Sequence, residues 1–306
     1  MIDLPKCIEI DVDGGAYRWM HYHRDDPDAQ RQLAQNAADL GDEQLSALLA
    51  DDTRPRCTPF DNGVLLNLRG VNLNPGQDPE DMVSVRLWID AARVIGVWLR
   101  PLAAVGDLYV ETQKGRGPNS TGGFAEQLAE RLITRMEPIV ATLSDRIDTL
   151  EERVIDARGA TTRGDLAETR RMAIILRRYI APQREALATL AAQQNDWLSA
   201  EDKTGLRESF DRTTRLVEDL DALRERAAVI HDQLADKRAA EMNRSMLVLA
   251  VVAAIFLPLG LLTGLLGINV GGIPLADSPF GFALVTGLLF VLGGAQYWLY
   301  RRWNLL

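Results

Sequence analysis

The sequence predicts a soluble α/β domain followed by a long helical stalk and two C-terminal membrane-spanning helices. Three observations carry this reading. Residues 1–122 alternate short apolar runs with turn signals, the pattern of strands and short helices. From residue 123 the helical period takes over almost without interruption. From Ser245 to Tyr300 the only ionisable groups are Asp277, Tyr297 and Tyr300, so the last fifth of the chain belongs to a different solvent.

In the first part, CIEIDV and AYRWMHYH have strand character, and DPDAQRQLAQNAADLGDEQLSALLAD has the spacing of one or two amphipathic helices. Two hairpins follow. RCTPF and GVLLNLRG flank Asp61-Asn62-Gly63, whose residues tolerate positive φ, and MVSVRLWI and RVIGVWLR flank Asp90-Ala91-Ala92. QKGRGPNSTGG, Gln113 to Gly123, breaks both periodicities and marks the domain boundary.

The helical part opens with a helix from Phe124 to Asp156 and a second from about Asp165 to Gln194. A third begins near Glu201 and meets no glycine or proline between Gly205 and Pro258, a run long enough to carry the stalk into the membrane as one helix. Leu216, Leu220, Leu223, Ala227, Ile230, Leu234 and Ala239 form a heptad-like apolar stripe along it, which predicts packing on other helices.

Met246 to Leu266 is an uncharged apolar run of the length that crosses a hydrocarbon core of about 30 Å, and Pro279 to Tyr300 is a second. Lys237, Arg238 and Arg244 precede the first, Arg301 and Arg302 follow the second, and the intervening loop has no Lys or Arg. The positive-inside rule therefore places both ends of the chain in the cytoplasm and the loop outside. Tyr297, Trp298, Tyr300 and Trp303 cluster where the second helix would leave the bilayer. The expected layout is an α/β domain at 1–122, a helical hairpin at 123–200, the stalk at 201–245, membrane helices at 246–266 and 279–300, an outer loop at 267–278, and a cytoplasmic tail at 301–306.

A formal charge of −9 argues against nucleic acid as a partner. Cys7 and Cys57 have no metal-ligand spacing and read as inert thiols in a reducing compartment. The N-terminus is acidic and lacks the apolar core of a secretory signal, so the large N-terminal part is expected to stay inside the cell. No phosphate loop, nucleophile motif or metal-hydrolase spacing is present, which disfavours an enzyme or sensor merely tethered by its helices.

The stretch GLLGINVGGIP, Gly264 to Pro274, puts glycines, a proline and one amide between the two apolar runs. A Gly-x-Asn at the exit of a penultimate membrane helix, before a short loop and a final helix ending in basic residues, resembles the CorA superfamily of divalent-cation transporters. The resemblance spans essentially the whole chain. Most members carry Gly-Met-Asn, whereas Gly267-Ile268-Asn269 followed by VGGIP looks like the ZntB branch, zinc transporters of bacterial inner membranes. The resemblance implies a homopentamer in the lipid bilayer, with the first membrane helix of each copy lining a central pore, the second facing lipid, and Zn2+ as cargo, and it suggests coupling to protons. The competing reading is a magnesium or broad divalent-cation channel.

On that reading five copies of Asn269 would set a ring of amide oxygens at the outer mouth, able to replace part of an ion's hydration shell and still release it, while Gly267 spares the turn a Cβ clash. Asn269 would equally serve as the C-cap of the first membrane helix. Counting back along one helical face gives Gly264, Gly260, Leu257, Ala253, Ala250, Met246 and Asn243 as pore-lining positions without charge. Gly260-x-x-x-Gly264 is also a helix-contact motif, so packing competes with lining there. Pro258 removes the helical donor of the Ala254 carbonyl and marks a hinge. Asp277, the one outer acid, would collect cations or simply be solvated. His21 and His23, at i and i+2 of a strand, offer at most half a zinc site, and His231 lies at the edge of the stalk stripe, where a ring of copies would bring imidazoles together. Neither membrane run contains Asp, Glu or His, the groups that mark most proton relays.

Overall fold

The computed structural model describes residues 4–12, 14–50, 54–155, 162–268, 270–274 and 278–303. The chain divides into two compact units, 1–231 and 232–306.

The first unit begins with a six-stranded sheet, order β1-β2-β6-β5-β4-β3. Its strands are β1 (Cys7–Val12), β2 (Tyr17–His23), β3 (Arg56–Phe60), β4 (Gly63–Gly70), β5 (Val83–Asp90) and β6 (Arg93–Trp98). All neighbours are antiparallel except β2 and β6, which pair in parallel with His21 opposite Gly96. Between β2 and β3 lie α1 (Pro27–Asn36) and α2 (Asp42–Leu49). These cover one face, burying Met20, Tyr22, Leu65, Trp88, Ile95 and Val97 against Ala29, Leu33 and Leu48. The 26–29 segment starts α1 as its composition dictates: Asp26 accepts from the N–H groups of Asp28 and Ala29, and Pro27 occupies a position whose N–H would be orphaned anyway.

The other face is covered by α3 (Ala103–Gln113), α4 (Thr121–Ile155) and α5 (Thr162–Ala191). Trp19 packs on Tyr109 of α3 and Phe124 of α4, at ring separations of 6.4 and 4.9 Å, and the Arg69 N–H donates to Gln183 Oε1 on α5 at 2.8 Å. Both hairpins form where expected, but for a different reason at Gly63. Its backbone is not left-handed; an added Cβ would lie 2.6 Å from the Ile89 carbonyl and 2.8 Å from Trp88, so the glycine serves close strand approach. The helix α3 is absent from the sequence reading. Its buried residues, Ala104, Val105, Gly106, Leu108 and Thr112, include a glycine and a threonine and leave little helical amphipathy to detect.

After the segment 114–120, α4, α5 and α6 (Ala200–Leu266) form the helical part. Within the first unit three heptad stripes meet: Met136, Val140, Leu143, Ile147, Leu150 and Val154 of α4; Leu166, Ala173, Leu176, Ile180, Leu187 and Leu190 of α5; Leu216, Leu220, Leu223, Ala227 and Ile230 of α6. Two of these helices, α4 and α6, have a visible start signal. Ser120 Oγ accepts from the Gly123 N–H, and Ser199 and Asp202 cap each other reciprocally at the head of α6. Arginines two heptads apart fix the register of α6 on α4: Arg212 binds Glu137 at 2.8 Å, and Arg226 holds Glu151 through two bonds of 2.9 and 2.7 Å. These pairs are partly exposed, so they choose register more than they add stability. The predicted stripe holds through Leu234, whereas Ala239 is exposed.

In the second unit α6 continues to Leu266 and α7 spans Gly281–Arg302. Both contain apolar windows long enough to cross a membrane, and these are 6% and 0% buried, which distinguishes them from the core helices of a soluble protein.

His21 provides a test of the sheet. It is fully enclosed beside Trp19 and stacked on Trp98, neither ring nitrogen has a hydrogen-bond partner among the described residues, and burial pulls its pKa down to about 3. It is therefore neutral in the fold and binds a proton on unfolding below about pH 6.5, so its contribution is present above that pH and is lost as pH falls. Between pH 7.5 and 5 the wild-type chain should lose about 2 kcal/mol more than His21→Gln, read from urea midpoints at the two pH values.

Candidate functional site

The candidate site is the apolar end of α6 with the turn that follows it. The sides of α6 in this unit differ in burial. Val251 is buried, and Ala254, Ile255, Leu259, Leu262 and Leu266 are half-buried, recurring at helical spacing along one side. Leu259 meets α7 at Gly293, where an added Cβ would sit 3.8 Å from Leu259 Cδ1. The residues expected to line a pore, Asn243, Met246, Ala250, Ala253, Leu257, Gly260 and Gly264, are exposed without exception. At 100° per residue their mean direction is opposite to that of the packed side. An added Cβ at Gly260 or Gly264 meets nothing within 4 Å, so the small-residue motif makes no contact with α7 in its own chain.

The helix stops at Leu266. The Gly267 N–H donates to the Thr263 carbonyl at 3.0 Å and the Gly264 carbonyl at 3.2 Å, closing the last turn. A Cβ at Gly267 would lie 3.0 Å from the Thr263 carbonyl, a tight approach that a glycine relieves. Gly272 carries the left-handed conformation of the turn, with φ 97°. Ile268 is half exposed. Asn269 and Asp277 lie outside the described residues. Thr263, Gly267, Ile273, Pro274, Ser278 and Phe282 contribute to a cavity of about 560 Å³ beside the turn.

Hydroxyls in these helices are satisfied locally: Thr263 Oγ1 donates to the Gly260 carbonyl at 3.1 Å and Thr286 Oγ1 to the Phe282 carbonyl at 2.8 Å. Gln296 Oε1 is buried and has no hydrogen-bond partner among the described residues. At the end of α7, Arg302 stacks over Trp298 at 5.4 Å, a cationic and aromatic cluster suited to a headgroup layer.

The three histidines do not converge. His21 and His23 share a sheet face as their spacing requires, but Trp98 contacts both rings, at 6.4 and 4.6 Å between centroids, and the His23 Nδ1 accepts from the Asp25 N–H. His231 is exposed on α6. Among the described residues no three of His, Cys, Asp and Glu are grouped to hold a metal. Burial pushes the Cys57 thiol up to about 12 and raises that of Cys7, so neither is a ready thiolate ligand.

The packed side of α6 makes a direct prediction. Gly293→Leu would drive a large side chain into Leu259 and should cost about 1–3 kcal/mol of stability, while Gly293→Ala is tolerated; thermal unfolding of the purified chain compares the two.

Comparison with known proteins places this architecture. The chain matches the family model "CorA-like Mg2+ transporter protein" over residues 14–302. It is 40% identical over 286 residues to "Divalent cation transporter CmaX" of Pseudomonas aeruginosa, covering 93% of this chain and 86% of that protein. It is 33% identical over 287 residues to "Zinc transport protein ZntB" of Pectobacterium atrosepticum, covering 93% and 87%. Among solved structures, full-length CmaX superposes with a TM-score of 0.80 at 39% identity, over 94% of this chain and 88% of that one. The CorA magnesium transporter of Methanocaldococcus jannaschii shares the fold, with a TM-score of 0.82 at 19% identity, over 97% and 94%. The domain, the long helix and the apolar pair are thus those of one family, and the chain belongs to the CorA-like transporters.

Proposed function

We propose that this chain carries divalent cations, zinc foremost, across a bacterial inner membrane through a pore built by five copies, with both chain ends in the cytoplasm. The observation that carries the proposal is the division of α6 into a side that packs on α7 and an opposite, uncharged side with no partner in its own chain. Grouped around an axis, five such sides enclose a lumen, and α7 is left toward lipid. The polar path then lies between copies, as a bilayer requires when one chain supplies only two helices.

A lumen lined by Met246, Ala250, Ala253, Leu257, Gly260 and Gly264 offers an ion no charge and no strong ligand. It suits a cation that keeps part of its water, with Leu257 and Met246 as apolar constrictions. Asn269 is the proposed selectivity group, its amide oxygen replacing or hydrogen-bonding part of the hydration shell. Zinc as the preferred ion is supported by Ile268 in place of the usual methionine and by the relatives named as zinc transport proteins. A broader divalent preference is supported by CmaX, whose name is not specific to zinc. Coupling to protons, if present, would not use a carboxylate or imidazole within either span, because neither span holds one.

Asn269→Ala should lower zinc uptake into proteoliposomes on the order of tenfold, the equivalent of about 1.4 kcal/mol of lost ion stabilisation, with assembly intact. Unchanged uptake would remove Asn269 from the filter. Parallel assays with Zn2+ and Mg2+, with and without a proton gradient and an internal pH dye, separate the two ion readings. Zinc entry that tracks the gradient and acidifies the lumen supports coupled zinc transport; magnesium entry driven by voltage and concentration alone overturns it in favour of a channel.

A further inference from the structure

Two exposed stripes on the helical part of the first unit have no ion-pair partner among the described residues, and they are complementary. On α5, Arg163, Ala167, Arg170, Ile174 and Arg178 follow one another at steps of four, three, four and four residues, all exposed. On α6, Glu218, Ala222, Glu225 and Val229 do the same at steps of four, three and four. Ile174, 45% exposed, and Val229, 57% exposed, are the large apolar side chains left most open in the described parts of α4, α5 and α6 up to His231.

Several charges beside these stripes are already committed. Arg171, Arg177, Arg212, Arg224 and Arg226 are engaged in ion pairs. Among the described residues Arg163, Arg170 and Arg178 have no ion pair, and neither do Glu218 and Glu225. An open groove of about 490 Å³, lined by Leu166, Ala167, Arg170, Ile174, Ala227 and His231, runs beside the basic stripe. The acidic stripe lies on the side of α6 opposite its buried heptads, so it cannot turn back onto its own α5.

We infer that the acidic stripe of α6 docks along the basic stripe of α5 in a second copy of this chain. Spacing and apolar matching together choose the register: Arg170 on Glu218 with Arg163 on Glu225 would also pair charges, but only the following register seats both Ile174 and Val229 on alanines. With the docked α6 running antiparallel to α5, Arg178 meets Glu218, Ile174 meets Ala222, Arg170 meets Glu225, and Ala167 meets Val229. That direction is the one a ring demands. Within a chain α5 and α6 are antiparallel, since Arg177 of α5 binds Asp221 of α6 and Ala227 and His231 flank the α5 N-terminal half. An α6 antiparallel to a neighbour's α5 is therefore parallel to the neighbour's α6, as copies about one axis must be. Because the two surfaces differ, the contact is head-to-tail and closes into a ring rather than a two-fold pair. The small residues Ala167 and Ala222 let the helices approach, and the matched charges exclude a like-on-like pairing of two α5 or two α6 stripes.

This inference rests on the oligomeric reading proposed above, and its test keeps the two apart. The full chain in vesicles, carrying Ile174→Cys with Ala222→Cys, is treated with a short bis-maleimide, and native mass of the solubilised protein is measured in parallel. The expected result is a ladder of linked chains up to the closed ring, absent from either single variant and from the wild type with its own Cys7 and Cys57. Charge reversal gives an independent arm: Arg170→Glu or Glu225→Arg alone should raise the concentration for half-dissociation by about tenfold, and the two together should restore it. An oligomeric native mass with no ladder would overturn the docking surface and leave the pore reading standing. Linked dimers from Ile174→Cys alone would also overturn it, by showing a two-fold contact. A wild-type mass of one or two chains would remove the pore reading itself and the docking with it.

Discussion

The constraint on which the rest depends is the cost of an unsatisfied polar group in hydrocarbon. Each apolar helix meets it internally through its own backbone ladder, and the threonines return their hydroxyls to carbonyls one turn back. A cation crossing the same layer has no such resource within one chain. One side of α6 is spent on α7, and the other side is too narrow to surround an ion. On the proposed function the path is completed by copies, with the uncharged side of α6 toward the ion and α7 as its support.

The same logic explains the restraint of the chemistry. A site with imidazole or thiolate ligands would hold zinc tightly. The described residues group no such set: His21 is sealed in the sheet, His23 is occupied with Trp98 and the 23–25 turn, and the thiols are kept protonated. Conduction favours weak and brief contacts, and on the proposed function a lumen of alanine, glycine and leucine with an amide at its mouth would provide them, leaving selectivity to the size and dehydration cost of the ion more than to a cage of ligands.

Much of this was legible in the sequence because it depends on period and composition. The extents of the helices, the apolar stripe of α6, the two apolar spans and the opposed faces of the first span all follow from spacing alone, and the buried positions agree with the stripe as far as Leu234. What escaped detection depends on packing between distant segments. Helix α3 is hidden because its buried side includes Gly106 and Thr112, and the reason for Gly63 is the Ile89 carbonyl and Trp88 across the sheet, not its own turn. Ala239 was counted into the apolar stripe by period alone, yet it is exposed. The two complementary stripes on α5 and α6 carry no apolar periodicity strong enough to notice. They become visible only once the exposed positions and the ion pairs of both helices are known.

The central claim is that conduction takes place between copies of the chain. Native mass spectrometry of the detergent-solubilised protein tests it most directly. A mass of five chains is the predicted result, and a mass of one or two chains would contradict it.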